Sequence, residues 1–176
     1  MRLSTRNLRT LLSLLGMLLF AAAARGADLP EYRLKAAFIY NFAVYTEWPA
    51  AVGSKLNLCM LGQDPFGGEL QELNGKVIGA RSIAVQPTTT RQTIASCQLL
   101  YVSPSAIGEL PQVLGALNGL SVLVVTDSPG AARAGAAINM AVQNSRVLFE
   151  VNLKAVQDAR LTLSSKLLRL AREIYP

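Results

Sequence analysis

Apolar residues along this chain fall into short unbroken runs separated by stretches of helical period, and that alternation predicts the elements. Leu34, Ala37, Phe38, Asn41, Phe42, Tyr45 and Trp48 recur at helical spacing, so 31–47 reads as an amphipathic helix stopped by Pro49. Residues 56–61 form a short apolar strand. Pro65 opens a helix predicted over 65–73, since proline is well tolerated in a first turn. Gly75 and Gly79 mark turns, 82–86 alternates as a strand, and 98–102 is another. Ser103-Pro104-Ser105 opens a helix through Leu117 with Ser105 as its N-cap. Residues 122–125 are apolar without alternation, as expected of a strand covered on both faces in a parallel sheet.

After the turn-rich Asp127-Ser128-Pro129-Gly130, segments 137–142 and 146–151 pattern as a hairpin with 143–145 at its tip. Asn152 caps a helix to about Ala159, 160–163 returns extended, and Ser164 or Ser165 caps a last helix ending near Ile174. In that helix Leu167, Leu170, Ala171 and Ile174 face inward, while Lys166, Arg169 and Arg172 point outward near the negative end of the dipole. Strands alternating with helices predict a single-domain three-layer α/β sandwich with a mainly parallel, Rossmann-like sheet and one late β-hairpin.

Residues 1–26 stand outside this pattern. Arg2, Arg6 and Arg9 precede an apolar run from Leu11 to Ala24, and small residues follow at Ala22, Ala24 and Gly26. That order is the signature of a removable export signal, with a retained anchor helix as the alternative, and the run is short of the roughly 20 residues that span a bilayer. The expectation is a signal peptide over 1–26 and one α/β domain over 27–176, working in a periplasm.

Export changes the charge argument. The chain carries 17 Lys+Arg against 11 Asp+Glu. Arg2, Arg6, Arg9 and Arg25 leave with the signal and no acid does, so 13 cations face 11 anions and the mature net charge is +2. The remaining cations are scattered among acids rather than gathered in a stripe, which argues against nucleic-acid binding. With 51% hydrophobic and 16% charged residues, the chain buries a core rather than staying disordered.

There is no histidine. Ser-His-Asp and Cys-His catalysis and His-based zinc sites are therefore excluded. No GxGxxG or Walker-type loop supports a nucleotide, so no cofactor is expected. Asp127 follows the carboxyl end of a buried strand, where open α/β sheets bind ligands, and with Tyr101 and Asn41 it outlines a candidate crevice. Asn41 sits within the apolar face of the first helix, where it either satisfies a loop backbone or meets a ligand. No second carboxylate falls at a metal-ligand spacing from Asp127, so no metal site is expected.

Cys59 and Cys97 are the only thiols, and in an oxidising compartment two cysteines pair. The pair reads as a structural staple, with a redox switch or two free buried thiols as alternatives; CxxC chemistry is excluded by spacing. Tyr45 and Trp48, at the end of the first helix, form a candidate exposed anchor for a partner. Asp158, Arg160, Lys166, Arg169 and Arg172 make a second candidate docking face around the final helices, alongside the plainer reading of a solvated surface.

Two segments resemble the YfiR-like family of periplasmic regulators. Tyr32-Arg33-Leu34-Lys35-Ala36-Ala37-Phe38-Ile39-Tyr40-Asn41-Phe42, continuing to Glu47-Trp48-Pro49, is similar to the family's opening helix. Val147-Leu148-Phe149-Glu150-Val151-Asn152-Leu153 and Leu163-Ser164-Ser165-Lys166-Leu167-Leu168 are similar to its closing pattern. The resemblance implies a non-enzymatic repressor that binds the periplasmic sensor domain of an inner-membrane diguanylate cyclase and lowers cyclic-di-GMP signalling and biofilm formation. It further implies a homodimer, and sequestration by an outer-membrane OmpA-like lipoprotein. Some relatives carry a second cysteine pair around the late hairpin; here those positions hold residues such as Met140 and Val147. A periplasmic small-molecule sensor using the Asp127 crevice is the alternative reading.

Overall fold

The computed structural model describes residues 28–87 and 90–176; the expected signal segment over 1–26 lies outside the described residues. Helix α1 (Asp28–Val44) leads into β1 (Thr46–Glu47), then β2 (Lys55–Leu61), β3 (Val77–Ile78), β4 (Arg81–Val85) and β5 (Leu99–Val102). Helix α2 (Leu110–Ala116) follows a 3₁₀ segment over Pro104–Glu109, and β6 (Leu123–Thr126), β7 (Ile138–Gln143) and β8 (Arg146–Asn152) come next. The chain closes with α3 (Leu153–Asp158), β9 (Thr162–Leu163), α4 (Ser165–Leu168) and β10 (Glu173–Tyr175).

Eight strands form one sheet in the order β10-β8-β7-β6-β5-β2-β4-β3. The pairs from β4 through β2, β5 and β6 to β7 are parallel, as is β10 on β8, while β7–β8 and β3–β4 are antiparallel. The unbroken apolar runs mark the central strands: Leu99–Val102 and Leu123–Thr126 are buried at every position. One face is covered by α1, Phe66, Leu70 and the C-terminal segment through Val156, Leu163 and Leu167. The other is covered by the 104–117 helical segment and the 127–137 loop, through Ala106, Leu110, Val113, Ala131 and Ala136. The result is the expected three-layer α/β sandwich with one late hairpin.

Several local expectations are corrected. Helix α1 buries Lys35, Ala36, Ile39, Phe42 and Ala43, while Leu34, Ala37 and Asn41 lie exposed. Apolar residues occur on nearly every side of this helix, so spacing alone did not choose its face. The helix ends at Val44 because the chain turns into a pairing of Thr46 with Leu163 and Glu47 with Thr162. The predicted 65–73 helix reduces to turns and a short 3₁₀ stretch, Gln71–Leu73, since Gly67 and Gly68 both take positive φ. Ser105 is no N-cap; its hydroxyl accepts from the Gln63 amide at 2.8 Å, and the 3₁₀ segment begins after Ser103.

The last helix stops at Leu168 rather than Ile174. Arg172 N–H donates to the Phe149 carbonyl at 2.8 Å, and 173–175 adds a parallel edge strand to β8. Leu170 and Ile174 are consequently exposed, not inward. The caps at Asn152 and Ser164 are as expected: their side chains accept from Ala155 N at 2.9 Å and Leu167 N at 3.3 Å.

Cys59 of β2 and Cys97, just before β5, form a disulfide with Cα atoms 5.9 Å apart. It closes a loop spanning 38 positions, and both residues are buried in the second layer's core. Replacing both cysteines with alanine is expected to lower the free energy of unfolding by about 4 kcal/mol. Urea titration of the two proteins checks this; a loss under about 1 kcal/mol contradicts the staple.

Candidate functional site

The polar groups of greatest chemical interest converge where β5 and β6 end. Tyr101 lies on β5, Asp127 directly follows β6, and α1 lays Lys35 across both. Lys35 Nζ donates to Asp127 Oδ2 at 2.6 Å, and Tyr101 OH donates to Asp127 Oδ1 at 2.6 Å. Both carboxylate oxygens are therefore engaged. Lys35 also pairs with Glu31 one turn earlier and stands 4.3 Å from the centre of the Tyr32 ring. Phe66 closes the cluster, packing edge-on against Tyr101 at 4.8 Å and Tyr32 at 5.1 Å. The Lys35 and Asp127 side chains are only 5% and 2% exposed.

This environment sets the protonation states. Burial pushes the Tyr101 phenol far above its ordinary value, with the Asp127 charge and hydrogen bond acting the same way, so it remains a donor. Tyr32 is raised too, by burial first and then by Asp127. Burial would lower the Lys35 ammonium, but its hydrogen bonds to Asp127 and Glu31 prevail and hold it above its ordinary value. The cluster is a charged lysine and a neutral phenol fixed on one carboxylate. Beside it, Thr126 Oγ1, Ser128 Oγ and Asn139 Oδ1 are buried without a hydrogen-bond partner among the described residues, with Thr126 and Asn139 opposite one another on β6 and β7.

The expected crevice is thus corrected. Tyr101 and Asp127 do come together, but as a buried pair occupied by Lys35, and Asn41 lies apart on the exposed side of α1. The neighbouring gap between β2 and β5 is filled as well: a Cβ on Gly62 would lie 2.2 Å from Ser103 Oγ and 2.9 Å from Ala106 Cβ. Among the described residues, no group of three or more His, Cys, Asp or Glu is placed to hold a metal ion. Lys35 was the residue that pattern reading passed over. Its signal is a cation flanked by Ala36 and Leu34 in a largely apolar helix, two residues after the exposed Arg33, matched by an acid directly after a buried strand.

Tyr45 and Trp48 are partly buried against the main core rather than an exposed pair, and Trp48 Nε1 donates to the Ala43 carbonyl at 3.0 Å. Asp158, Arg160, Lys166, Arg169 and Arg172 are all exposed. Asp158 pairs with Lys154 at 2.7 Å, whereas Arg160, Lys166, Arg169 and Arg172 take part in no ion pair among the described residues. The C-terminal segment therefore presents four uncompensated cations. Among the described residues, no helix is long and apolar enough to cross a membrane.

Comparison with known proteins adds the following. A family model described as YfiR/HmsC-like matches residues 32–172. No curated protein matches the chain. The structure is similar to an ABC domain in complex with L-Trp from Streptococcus pneumonia, at 10% identity and a TM-score of 0.48, covering 68% of this chain and 55% of that one. It is also similar to a conserved domain protein from Vibrio cholerae O1 biovar El Tor, at 12% identity and a TM-score of 0.49, covering 81% and 60%. The chain thus spans between 55% and 60% of the length of these two structures.

Two measurements test the buried cluster. Lys35→Met is expected to destabilise the fold by about 3–5 kcal/mol by leaving Asp127 buried and unpaired, and adding Asp127→Leu should recover part of that loss. Tyr101 and Lys35 both have folded pKa values above their unfolded ones. Their contributions are complete below about pH 10 and lost as pH rises beyond it, because the unfolded chain releases those protons first. Urea unfolding between about pH 9 and pH 11.5 should show a steeper fall for the native chain than for Tyr101→Phe; equal slopes contradict the assignment.

Proposed function

Because the chain belongs to the YfiR/HmsC-like family, whose members are periplasmic regulators of diguanylate cyclase, we propose that it binds the periplasmic sensor domain of an inner-membrane diguanylate cyclase. Binding one conformation of that domain would shift its population and hold the cytoplasmic output down, lowering cyclic-di-GMP and biofilm formation. The N-terminal 26 residues direct export in this reading. The observation that carries it is the family match over nearly the whole described chain. Two features of the fold support an interaction role over chemistry at the sheet's carboxyl edge. Its reactive groups are bonded to one another, and four exposed cations outside any ion pair among the described residues, Arg160, Lys166, Arg169 and Arg172, lie along the C-terminal segment.

Arg160, Lys166, Arg169 and Arg172 form the docking face in this proposal, since unpaired exposed cations steer an acidic partner and fix its register. A homodimer, and capture by an outer-membrane OmpA-like lipoprotein that frees the cyclase, complete the regulatory cycle. Tyr45 and Trp48, half-buried, serve mainly to seat the end of α1.

The test uses the mature chain to capture its cyclase from inner-membrane extracts, followed by titration of that cyclase's periplasmic domain. Arg169→Glu with Arg172→Glu should weaken binding by about tenfold or more and leave the melting temperature unchanged. Wild-type affinity in the double variant would remove this face from the proposal, and failure to capture any diguanylate cyclase would overturn the function itself.

A further inference from the structure

Two asparagines of this chain precede a glycine, Asn74 and Asn118, and both pairs lie exposed in turns. That pairing carries its own chemistry. The backbone nitrogen of the second residue attacks the asparagine side-chain carbonyl, and glycine has no Cβ to obstruct the approach. The reaction needs a side-chain amide that swings freely and a peptide plane that rotates toward it. The fold withholds both freedoms from one pair and leaves both to the other.

At Asn74–Gly75 both reacting groups are engaged. Asn74 Oδ1 accepts from the Val85 amide at 3.0 Å, and Gly75 N–H donates to the Ile83 carbonyl at 2.8 Å. These bonds tie the turn to β4, so ring closure there must break two hydrogen bonds. Asn118–Gly119 lies between α2 and β6. Leu120 N–H donates to the Leu117 carbonyl at 2.9 Å across a turn whose third residue is Gly119, at φ +75°. That bond spans the 118–119 peptide without holding it. Among the described residues, the Asn118 side chain, the Asn118 carbonyl and the Gly119 N–H take part in no hydrogen bond. The Asn118 N–H reaches the Gly115 carbonyl only at 3.5 Å.

We propose that Asn118 is a site of spontaneous covalent modification, converting to aspartate and isoaspartate in the folded protein while Asn74 is preserved. The Gly119 nitrogen bonds to Asn118 Cγ, the Cγ–Nδ2 bond breaks, and the proton lost from nitrogen leaves with the departing ammonia. Water then opens the cyclic imide at either carbonyl, giving a normal or a backbone-lengthened aspartyl residue. Water is the only co-reactant. The product sets a new carboxylate beside Gly119 and Leu120, on a groove of about 310 Å³ at the amino-terminal ends of β6 and β7. This chemistry is independent of the docking face proposed above and of which cyclase the chain regulates.

The test incubates the full mature chain at mildly alkaline pH, folded and in urea, and follows each asparagine by peptide mass spectrometry. Folding should raise the ratio of Asn118 to Asn74 conversion rates by about tenfold or more over its value in urea. Asn118→Gln, an exposed change, should remove the acidic species that ion exchange resolves from the aged wild-type chain, since closure through the longer side chain is slower. A rate ratio unchanged by folding overturns the proposal. So does an Asn118 that stays intact in the folded chain, or deamidation that maps chiefly to another asparagine.

Discussion

The buried contact between Lys35 and Asp127 is the constraint around which the rest of the structure is arranged. It joins the first helix to the end of a central strand 92 positions later in the chain. Two charges removed from water tolerate burial only when each is well paired, and here each has more than one partner. Lys35 is shared between Asp127 and Glu31, and Asp127 between Lys35 and Tyr101. The geometry leaves α1 one orientation over the sheet, and that orientation brings Ile39, Phe42 and Ala43 into the core. The far end of the same helix is tied down separately, where β1 pairs with β9 and Ser164 N–H donates to the Tyr45 carbonyl at 2.9 Å.

This arrangement explains why some of the fold was legible in the sequence and some was not. Central strands announce themselves because burial on both faces demands continuous apolar residues, as in Leu99–Val102 and Leu123–Thr126. The hairpin was readable from its turn, since Asn144 and Ser145 both take positive φ. The face of α1 was not, because its composition is apolar almost all round and the deciding residue is a lysine that only a distant aspartate makes burial-worthy. The C-terminal ending was hidden for a similar reason. Leu167, Leu170 and Ile174 suit a helix locally, yet the free edge of β8 takes up 173–175 instead. The candidate site was half readable: Tyr101 and Asp127 were identified, but as a crevice, since no local pattern shows that Lys35 fills it.

The same constraint bears on function. A doubly wound sheet usually offers its ligand site at the carboxyl ends of its strands. Here the β5–β6 part of that edge is occupied by Lys35, Asp127 and Tyr101, and beside it by Ser103 and Ser105 against Gly62, while a cavity of about 230 Å³ remains at the ends of β2 and β4. Surfaces beyond the Lys35–Asp127–Tyr101 cluster include the cationic C-terminal segment and the groove at the amino-terminal ends of β6 and β7. Such a body, braced by a disulfide and an internal ion pair, is suited to carrying a message by contact.

The central claim is that this chain acts on a cyclase across the inner membrane. Its most direct test is intracellular cyclic-di-GMP in cells that carry the partner cyclase, compared with the same cells lacking this chain. The account predicts a higher level on deletion, restored by the chain expressed with residues 1–26 and not by one lacking them. An unchanged level on deletion would contradict it.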